Sequence, residues 1–362
     1  MNVKTEDTLM YYTNPHLINL DRIVYQNNRK AYLRLDLNEN PGGIPEEFLQ
    51  KVLSEVTPNF ISQYPETQEF TDCMANFLGV EDKNLCLVNG SSEGIRHTIE
   101  AFTSEGGKIV GVAPSYAMYE VYAKMYGRQF VRVNYHDDLT VTPADIISCL
   151  DPDVQLLILL NPNNPIGNAY TNEEFEEILA AAKKYEITVL IDEAYMYFYN
   201  NTFIKYVMDN DHVLLTRTFS KLFSLGGLRL GYMVGQPHDI KMISNLCTPH
   251  NTNAFAMLFA QRIIEEPGML DRMIDIQLKG KKYTVDELRK LGYEVNAQEG
   301  NFIFVKPRHA DADVIVDRMK DEKKILIKSY AGIGKLGKCL RVSTGAEEYM
   351  KRFVEALVEV DK

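Results

Sequence analysis

The sequence is poor in several things that would each have named a function. It has no excess of basic residues. Lys and Arg total 39 against 50 Asp and Glu, for a formal net charge of −11. A nucleic-acid backbone as partner is thereby disfavoured, because binding one needs a basic footprint. Small anionic ligands stay possible, since a local Arg/Lys cluster can oppose the global sign. Only five cysteines occur, widely spaced and without a C-x-x-C. A disulfide framework or zinc site is not expected, and reduced thiols in a cytoplasm fit this pattern. No H-E-x-x-H or other His ligand spacing is present, so no metal is expected. The longest apolar run, Val154 to Leu160, is too short for a bilayer and reads as a buried strand. The segment Met1 to Leu20 is polar and acid-bearing, unlike a signal peptide. There is no G-x-G-x-x-G after a strand, which disfavours a nicotinamide dehydrogenase. Repeats and low-complexity tracts are absent.

The middle of the 362-residue chain alternates short apolar runs with amphipathic stretches. Strands are expected over Leu85–Val88, Lys108–Val112, Phe130–Val133, Val154–Leu160, Thr188–Ile191, Val213–Thr216 and Leu230–Val234. Helices are expected over Ser92–Phe102, Tyr116–Tyr126 and Asn172–Tyr185. Such alternation, with nearly continuous apolar strands, predicts an α/β fold: a mainly parallel seven-stranded sheet with helices on both faces. Ligands of such sheets bind beyond the carboxyl ends of the strands. A helical pattern from Asn253 to Leu291 is broken at Pro267-Gly268. Beyond it, strands at Phe302–Val305 and Ile325–Ile327 and helices at Ala312–Met319 and Glu347–Val358 predict a smaller α+β domain. The expected division is 1–44, a segment joining the small domain; 45–250, the large domain; and 251–362, a linking helix and the small domain.

The chemistry-bearing residues fall at the predicted strand ends. Lys221, in Thr218-Phe219-Ser220-Lys221, follows one of them. Alone it reads as a surface lysine; held in a pocket, its amine could form an imine. Arg229 follows Gly226-Gly227 and offers a fork suited to phosphate. Asp192, in Asp192-Glu193-Ala194-Tyr195, can face a cationic ring nitrogen, or simply cap a helix. Tyr195 can reach an oxygen of the same ring. Asn164, in Asn161-Pro162-Asn163-Asn164-Pro165-Ile166-Gly167, lies in what could be an ordinary turn. Ser91 and Ser92, after Gly90, open a helix whose free N–H groups suit a phosphate. Tyr116 could stack on a flat ring or pack in the core. Together the set suits a flat, phosphorylated, nitrogen heteroaromatic aldehyde.

As an ordered series, Asn89-Gly90, Asn164-Pro165-x-Gly167, Asp192-Glu193-Ala194-Tyr195, Ser220-Lys221 and Gly227-Leu228-Arg229-x-x-Gly231 resemble the fold-type I pyridoxal-5′-phosphate (PLP) enzymes, aminotransferase class I and II. The resemblance implies that Lys221 is the Schiff-base lysine and proton shuttle, and that Asp192 pairs with the pyridinium nitrogen. It implies that Tyr195 and Asn164 bind the ring oxygen, and that Tyr116 stacks. Ser91, Ser92, Thr218, Ser220 and Arg229 would hold the phosphate. Within that superfamily, Leu37-Asn38-Glu39-Asn40-Pro41, Gln63-Tyr64-Pro65-Glu66, Gly90-Ser91-Ser92-Glu93-Gly94-Ile95, Asn301-Phe302 and Leu340-Arg341-Val342 resemble the histidinol-phosphate aminotransferases. That resemblance implies a homodimer with shared active sites, in which Tyr64 reaches the neighbouring cofactor phosphate and Tyr25 contributes to substrate binding. Arg341, with Asn40 and Lys328, would bind substrate. The small-molecule partners would be an amino donor, such as glutamate, and a keto acceptor. Two positions depart from the family pattern: Ile166 replaces a threonine, and Lys328 replaces an arginine. Lysine is a point charge without the bidentate fork. A threonine-phosphate decarboxylase, an aminotransferase for another amino acid or amino phosphonate, and a PLP-fold binding or regulatory protein are the alternatives.

Overall fold

The computed structural model describes residues 11–20 and 28–362. The strands in chain order are β1 (Leu33–Arg34), β2 (Leu85–Val88), β3 (Lys108–Ala113), β4 (Gln129–Asn134), β5 (Val154–Leu160), β6 (Thr188–Asp192), β7 (Val213–Thr218), β8 (Gly231–Val234), β9 (Glu294–Asn296), β10 (Phe302–Lys306), β11 (Ile325–Leu326), β12 (Lys328–Ile333) and β13 (Gly337–Ser343). Seven of them build the main sheet in the order β2-β8-β7-β6-β5-β3-β4. Strands β7, β6, β5, β3 and β4 run parallel, and β8 is antiparallel to both its neighbours. Every residue of β6 and all but Gln155 of β5 are buried. Such strands need apolar side chains in both pleat directions, which is why their runs do not alternate.

The helices have local causes. Helix Asn172–Lys184 begins with a capping box between Thr171 and Glu174 and buries Phe175, Ile178, Leu179 and Ala182 along one face. Acidic residues occupy its first turn and lysines its last, matching the helix dipole. The pattern from 253 to 291 divides into helices Ala254–Glu265 and Met269–Lys290, with Gly268 between them at φ 67°. The helix expected from Tyr116 starts at Met118, so Tyr116 lies in the loop before it.

A second sheet, β12-β13-β10-β9, is antiparallel, while β1 pairs in parallel with β11. Its core includes Leu33, Leu35, Ile303, Val305, Leu340, Val342 and Phe353. The segment before residue 44 thus adds apolar side chains to the core of the C-terminal sheet. A third, smaller cluster joins Leu139 and Ile166 to Phe304, Ile333, Leu336 and Cys339. The isoleucine that replaces the family threonine is therefore a buried packing residue at the seam.

One buried ion pair ties the strand ends together. Glu193, just past β6, accepts from Arg217 Nε at 2.9 Å and Nη2 at 2.7 Å. It also accepts from the Thr202 hydroxyl and the Phe203 N–H. Removing one partner strands the other charge away from water. Glu193→Ala should therefore lower unfolding free energy by about 3–5 kcal/mol, read from urea midpoints at unchanged slope. A loss below about 1 kcal/mol, the scale of a surface pair, would contradict the role assigned to this pair.

Candidate active site

Because β2 and β7 are both antiparallel to β8, they run in the same direction. The carboxyl ends of β2, β5, β6 and β7 thus share one edge of the sheet. The loops leaving that edge carry Gly90 to Ser92, Asn164, Tyr195 and Lys221, and Arg229 lies just before β8 enters it. This crevice beyond the strand ends is where doubly wound sheets take ligands.

Asp192 closes β6 and is only 2% exposed. Its Oδ2 accepts the Tyr119 hydroxyl at 2.8 Å, and its Oδ1 accepts the Ala194 N–H at 3.0 Å. Burial nevertheless pushes its carboxyl up to about 6, so the site favours a cation against it. Lys221 shows the converse. Burial, and then Arg341, bring its amine down to about 8. Its Nζ donates to Leu37 O at 2.9 Å and lies 5.8 Å from the centre of the Tyr195 ring. An amine with that pKa has a neutral fraction near physiological pH and can act as nucleophile or base.

A second group of side chains makes an anion seat. Gly90, at φ 75°, precedes helix Ser91–Phe102, whose first N–H groups have no partner within the helix. The Thr218 hydroxyl donates to Ser220 Oγ at 2.9 Å, and Arg229 Nη1 reaches the same oxygen at 3.4 Å. A Cβ on Gly90 would run into the Arg229 guanidinium, and one on Gly231 would lie 2.6 Å from Ser91 N. The two glycines thus let the arginine and the helix start converge. Tyr116 joins this group through Ser92, with 3.0 Å between the hydroxyls. Its ring meets that of Tyr119 edge-on at 5.5 Å.

The third group is a chain of amides. Asn38 donates through Nδ2 to Tyr195 OH at 2.9 Å and to Asn164 Oδ1 at 3.3 Å. Arg341 Nη1 donates to the same Asn164 oxygen at 3.0 Å. Asn164 is left with its N–H groups, and Tyr195 with its hydroxyl proton, to offer to a ligand. Arg341, 3% exposed, also binds Asp36 O, and its Nε has no hydrogen-bond partner among the described residues. Lys328 stands directly opposite Arg341 across β12 and β13. Burial, and then Arg341, bring its amine down to about 8. The Asp36 carboxylate partly offsets their mutual repulsion.

The remaining expected residues stand apart from these groups or outside the described chain. Asn40 donates to Gly43 O at 3.0 Å and to Ser224 Oγ at 2.8 Å. Tyr64 is 80% exposed and stacks on His250 at 4.7 Å. Tyr25 lies outside the described residues. Sequence reasoning missed two members, Tyr119 and Asn38. Tyr119 is one turn beyond Tyr116, so its heptad-like spacing was visible but its target was not. Asn38 sits at φ 56° inside a quoted motif, and a non-glycine residue in that region is a usable signal.

These residues fit PLP. Among the described residues Asp192 forms no ion pair, the glycine-lined seat suits a phosphate, and the Lys221 amine of lowered pKa feels the charges of both Asp192 and Arg229. Comparison with known proteins agrees. Residues 30–357 match the family described as aminotransferase class I and II. A histidinol-phosphate aminotransferase of Thermoanaerobacter pseudethanolicus is 30% identical over 90% of this chain and 92% of its own. The crystal structure of the histidinol-phosphate aminotransferase from Clostridium acetobutylicum is 28% identical, with a TM-score of 0.81 over 91% of this chain and 99% of its own. That from Sinorhizobium meliloti, a complex with pyridoxal-5′-phosphate, is 21% identical with a TM-score of 0.82 over 91% and 90% of the two chains.

The lowered amine pKa has a consequence for stability in ligand-free protein. The folded value is about 8 and the reference value 10.5. Below pH 8 both states are charged and the fold carries the desolvation cost; the cost fades as pH rises from 8 to 10.5. Lys221→Met should therefore be more stable than its parent at pH 7, by up to about 2 kcal/mol after allowance for the water that still reaches the side chain. Urea unfolding across that pH range checks it: the gain should shrink as pH rises, and a gain that grew with pH would reverse the assignment.

Proposed function

This chain belongs to the aminotransferase class I and II family, whose members are PLP-dependent transaminases, and we propose that it moves an amino group between glutamate and a phosphorylated amine of the histidinol-phosphate kind. The observation that carries the substrate class is the facing pair Arg341 and Lys328 beside Asn164. It is an anion seat one amide away from the residues proposed to hold the cofactor ring.

PLP, when bound, supplies an aldehyde that takes up amino groups and a ring that draws off an electron pair. The roles proposed for this chain's residues rest on the family resemblance and on their placement at the strand ends. Lys221 Nζ, held by Leu37 O, is the amine that would hold the cofactor and would move the proton at the substrate carbon that bears nitrogen. Asp192, fixed by Tyr119, holds a positive charge on the ring nitrogen. Tyr195 and Asn164 donate to the ring oxygen, and Tyr116 lies against the ring. Ser91, Ser92, Thr218, Ser220 and Arg229 hold the phosphate. Arg341 takes the carboxylate of glutamate and the phosphate of the second substrate in turn, with Lys328 adding charge. Asn40 braces the loop beside them through Ser224.

The residues from 45 to 250 would act as the cofactor-binding domain, and those from 251 to 362, joined by the segment 1–44, as a linking helix and the smaller domain. Five free thiols suit a cytoplasmic setting, and no helix among the described residues is long and apolar enough to cross a membrane.

Arg341→Ala should lower kcat/KM for glutamate and for the phosphorylated amine together, by the equivalent of about 2–5 kcal/mol, because one cation serves both. Amino transfer from histidinol phosphate to 2-oxoglutarate is the assay. Unchanged kcat/KM would remove the anion seat. Release of carbon dioxide from threonine phosphate without any transamination would remove the substrate assignment.

Tyr64, an exposed ring beside His250, is proposed to serve the cofactor phosphate of a second copy of the chain, in a homodimer to which Tyr25 also contributes. A heterodimer of Tyr64→Phe and Lys221→Ala chains then contains one wholly parental site. Subunit exchange should restore activity above either parent. Heterodimers that form and gain nothing would show that Tyr64 works within its own chain.

A further inference from the structure

Behind the phosphate seat lies a cluster that the proposed reaction does not use. His97, on helix Ser91–Phe102, is 3% exposed, and both its ring nitrogens lack a hydrogen-bond partner among the described residues. A buried imidazole with neither nitrogen satisfied is costly, since each such group forfeits about 1–3 kcal/mol. One turn earlier, Glu93 turns Oε1 toward His97 Nε2 at 4.0 Å, while its Oε2 accepts from Asn89 N and Asn251 Nδ2. Cys247, at the end of helix Pro237–Leu246, completes a trio whose ligand atoms all lie within 4.8 Å of one another. Cys86, on edge strand β2, puts its sulfur 3.8 Å from that of Cys247.

We propose that Glu93, His97, Cys247 and Cys86 form a zinc site that fastens strand β2 to the two helices packed against it. With Zn–S near 2.3 Å and Zn–N near 2.0–2.1 Å, a tetrahedral site has ligand separations of about 3.4–3.8 Å, the widest being sulfur to sulfur. The Cys86–Cys247 separation already equals that edge. The ligand atoms of Glu93, His97 and Cys247, all within 4.8 Å of one another, close by up to about 1.5 Å, and Cys86, seated against Cys247, turns its sulfur toward the other two. Two thiols with an imidazole select zinc over the hard cations, which prefer all-oxygen shells. The far ring nitrogen, His97 Nδ1, faces Glu100 Oε2 at 3.9 Å. A carboxylate in that position orients a metal-bound imidazole and fixes its tautomer. Zinc binding displaces the two thiol protons to solvent, and with them the thiols' contacts to Leu87 O and Ile243 O. With four protein ligands the site has no open position, so its role is structural: it anchors the helix whose first turn forms the phosphate seat.

The sequence shows little sign of this site: Glu93 and His97 lie one turn apart on one helix, but only the packing of an edge strand and a second helix brings Cys86 and Cys247 to them.

The test uses the holoenzyme, produced with zinc in the medium and purified reduced without chelator. It should carry about one zinc per chain by elemental analysis, as a single tetrahedral site requires. Exchange for cobalt(II) should produce thiolate-to-cobalt charge-transfer absorption. Cys247→Ser and Cys86→Ser should each abolish that absorption and weaken zinc binding by at least about 100-fold, beyond what loss of an outer partner costs. Cys149→Ser should leave both unchanged. Zinc should also raise the parent's Tm and not that of Cys247→Ser. A parent that binds no zinc at excess metal overturns the proposal, as does undiminished binding in Cys247→Ser, or zinc-free protein whose mass shows a Cys86–Cys247 disulfide. Should either serine variant fail to fold, the cobalt spectrum of the parent decides alone, since only thiolate ligation yields that band.

Discussion

The site depends on two opposite charges that the fold places where neither is comfortable. Asp192 ends a fully buried strand, and its carboxyl sits at about 6. Lys221 follows the neighbouring strand, with an amine at about 8. Both shifts have desolvation as their largest cause. Each group is therefore poised for a partner that the protein itself does not supply: a cation for the carboxylate and an electrophile for the amine. A protonated pyridine ring bearing an aldehyde answers both needs, which is how a destabilised pocket becomes a binding site.

The strain is affordable because stiffer structure stands behind it. Glu193, adjacent to Asp192, is locked to Arg217 of β7, to Thr202 and to the Phe203 backbone. Tyr119 fixes the orientation of the Asp192 carboxylate. These contacts hold the strand ends while the ligand-facing atoms stay available. Positioning of this kind lets a carboxylate stabilise charge without reorganising during a reaction.

The amide chain couples the two apolar cores. Asn38 belongs to the segment that follows β1, Asn164 and Tyr195 to loops of the main sheet, and Arg341 to β13 of the second sheet. A movement of the second sheet relative to the first must change the hydrogen bonds of Asn164 and of Asn38, which reaches both Tyr195 and Ser343. Ile166, two residues on, packs across the same seam with Phe304 and Ile333. Its burial explains why a hydrophobic residue is accommodated in an otherwise polar turn motif: at this position the side chain meets the small core.

The sequence by itself determined the main sheet's strands, because buried parallel strands need unbroken apolar runs such as Val154–Leu160, and it placed Lys221, Asp192, Asn164 and Arg229 at strand ends by simple adjacency. It fixed helix Asn172–Lys184 through a local capping box. Tertiary structure decided the rest. The strand expected at Ile325–Ile327 is there as β11, but the short strands β1 and β9 and the bulged β12 carry too little pattern to be read, since their pairing partners create them. Tyr119 found Asp192 across 73 residues and Asn38 found Tyr195 across 157. Arg341 came to face Lys328 only through antiparallel register, and Cys86 and Cys247 met the helical pair Glu93 and His97 only through packing. Local spacing records which face of an element is apolar and where it ends. Which polar atoms meet in the crevice depends on how the strands order themselves, and that order is set by burial summed over the whole chain.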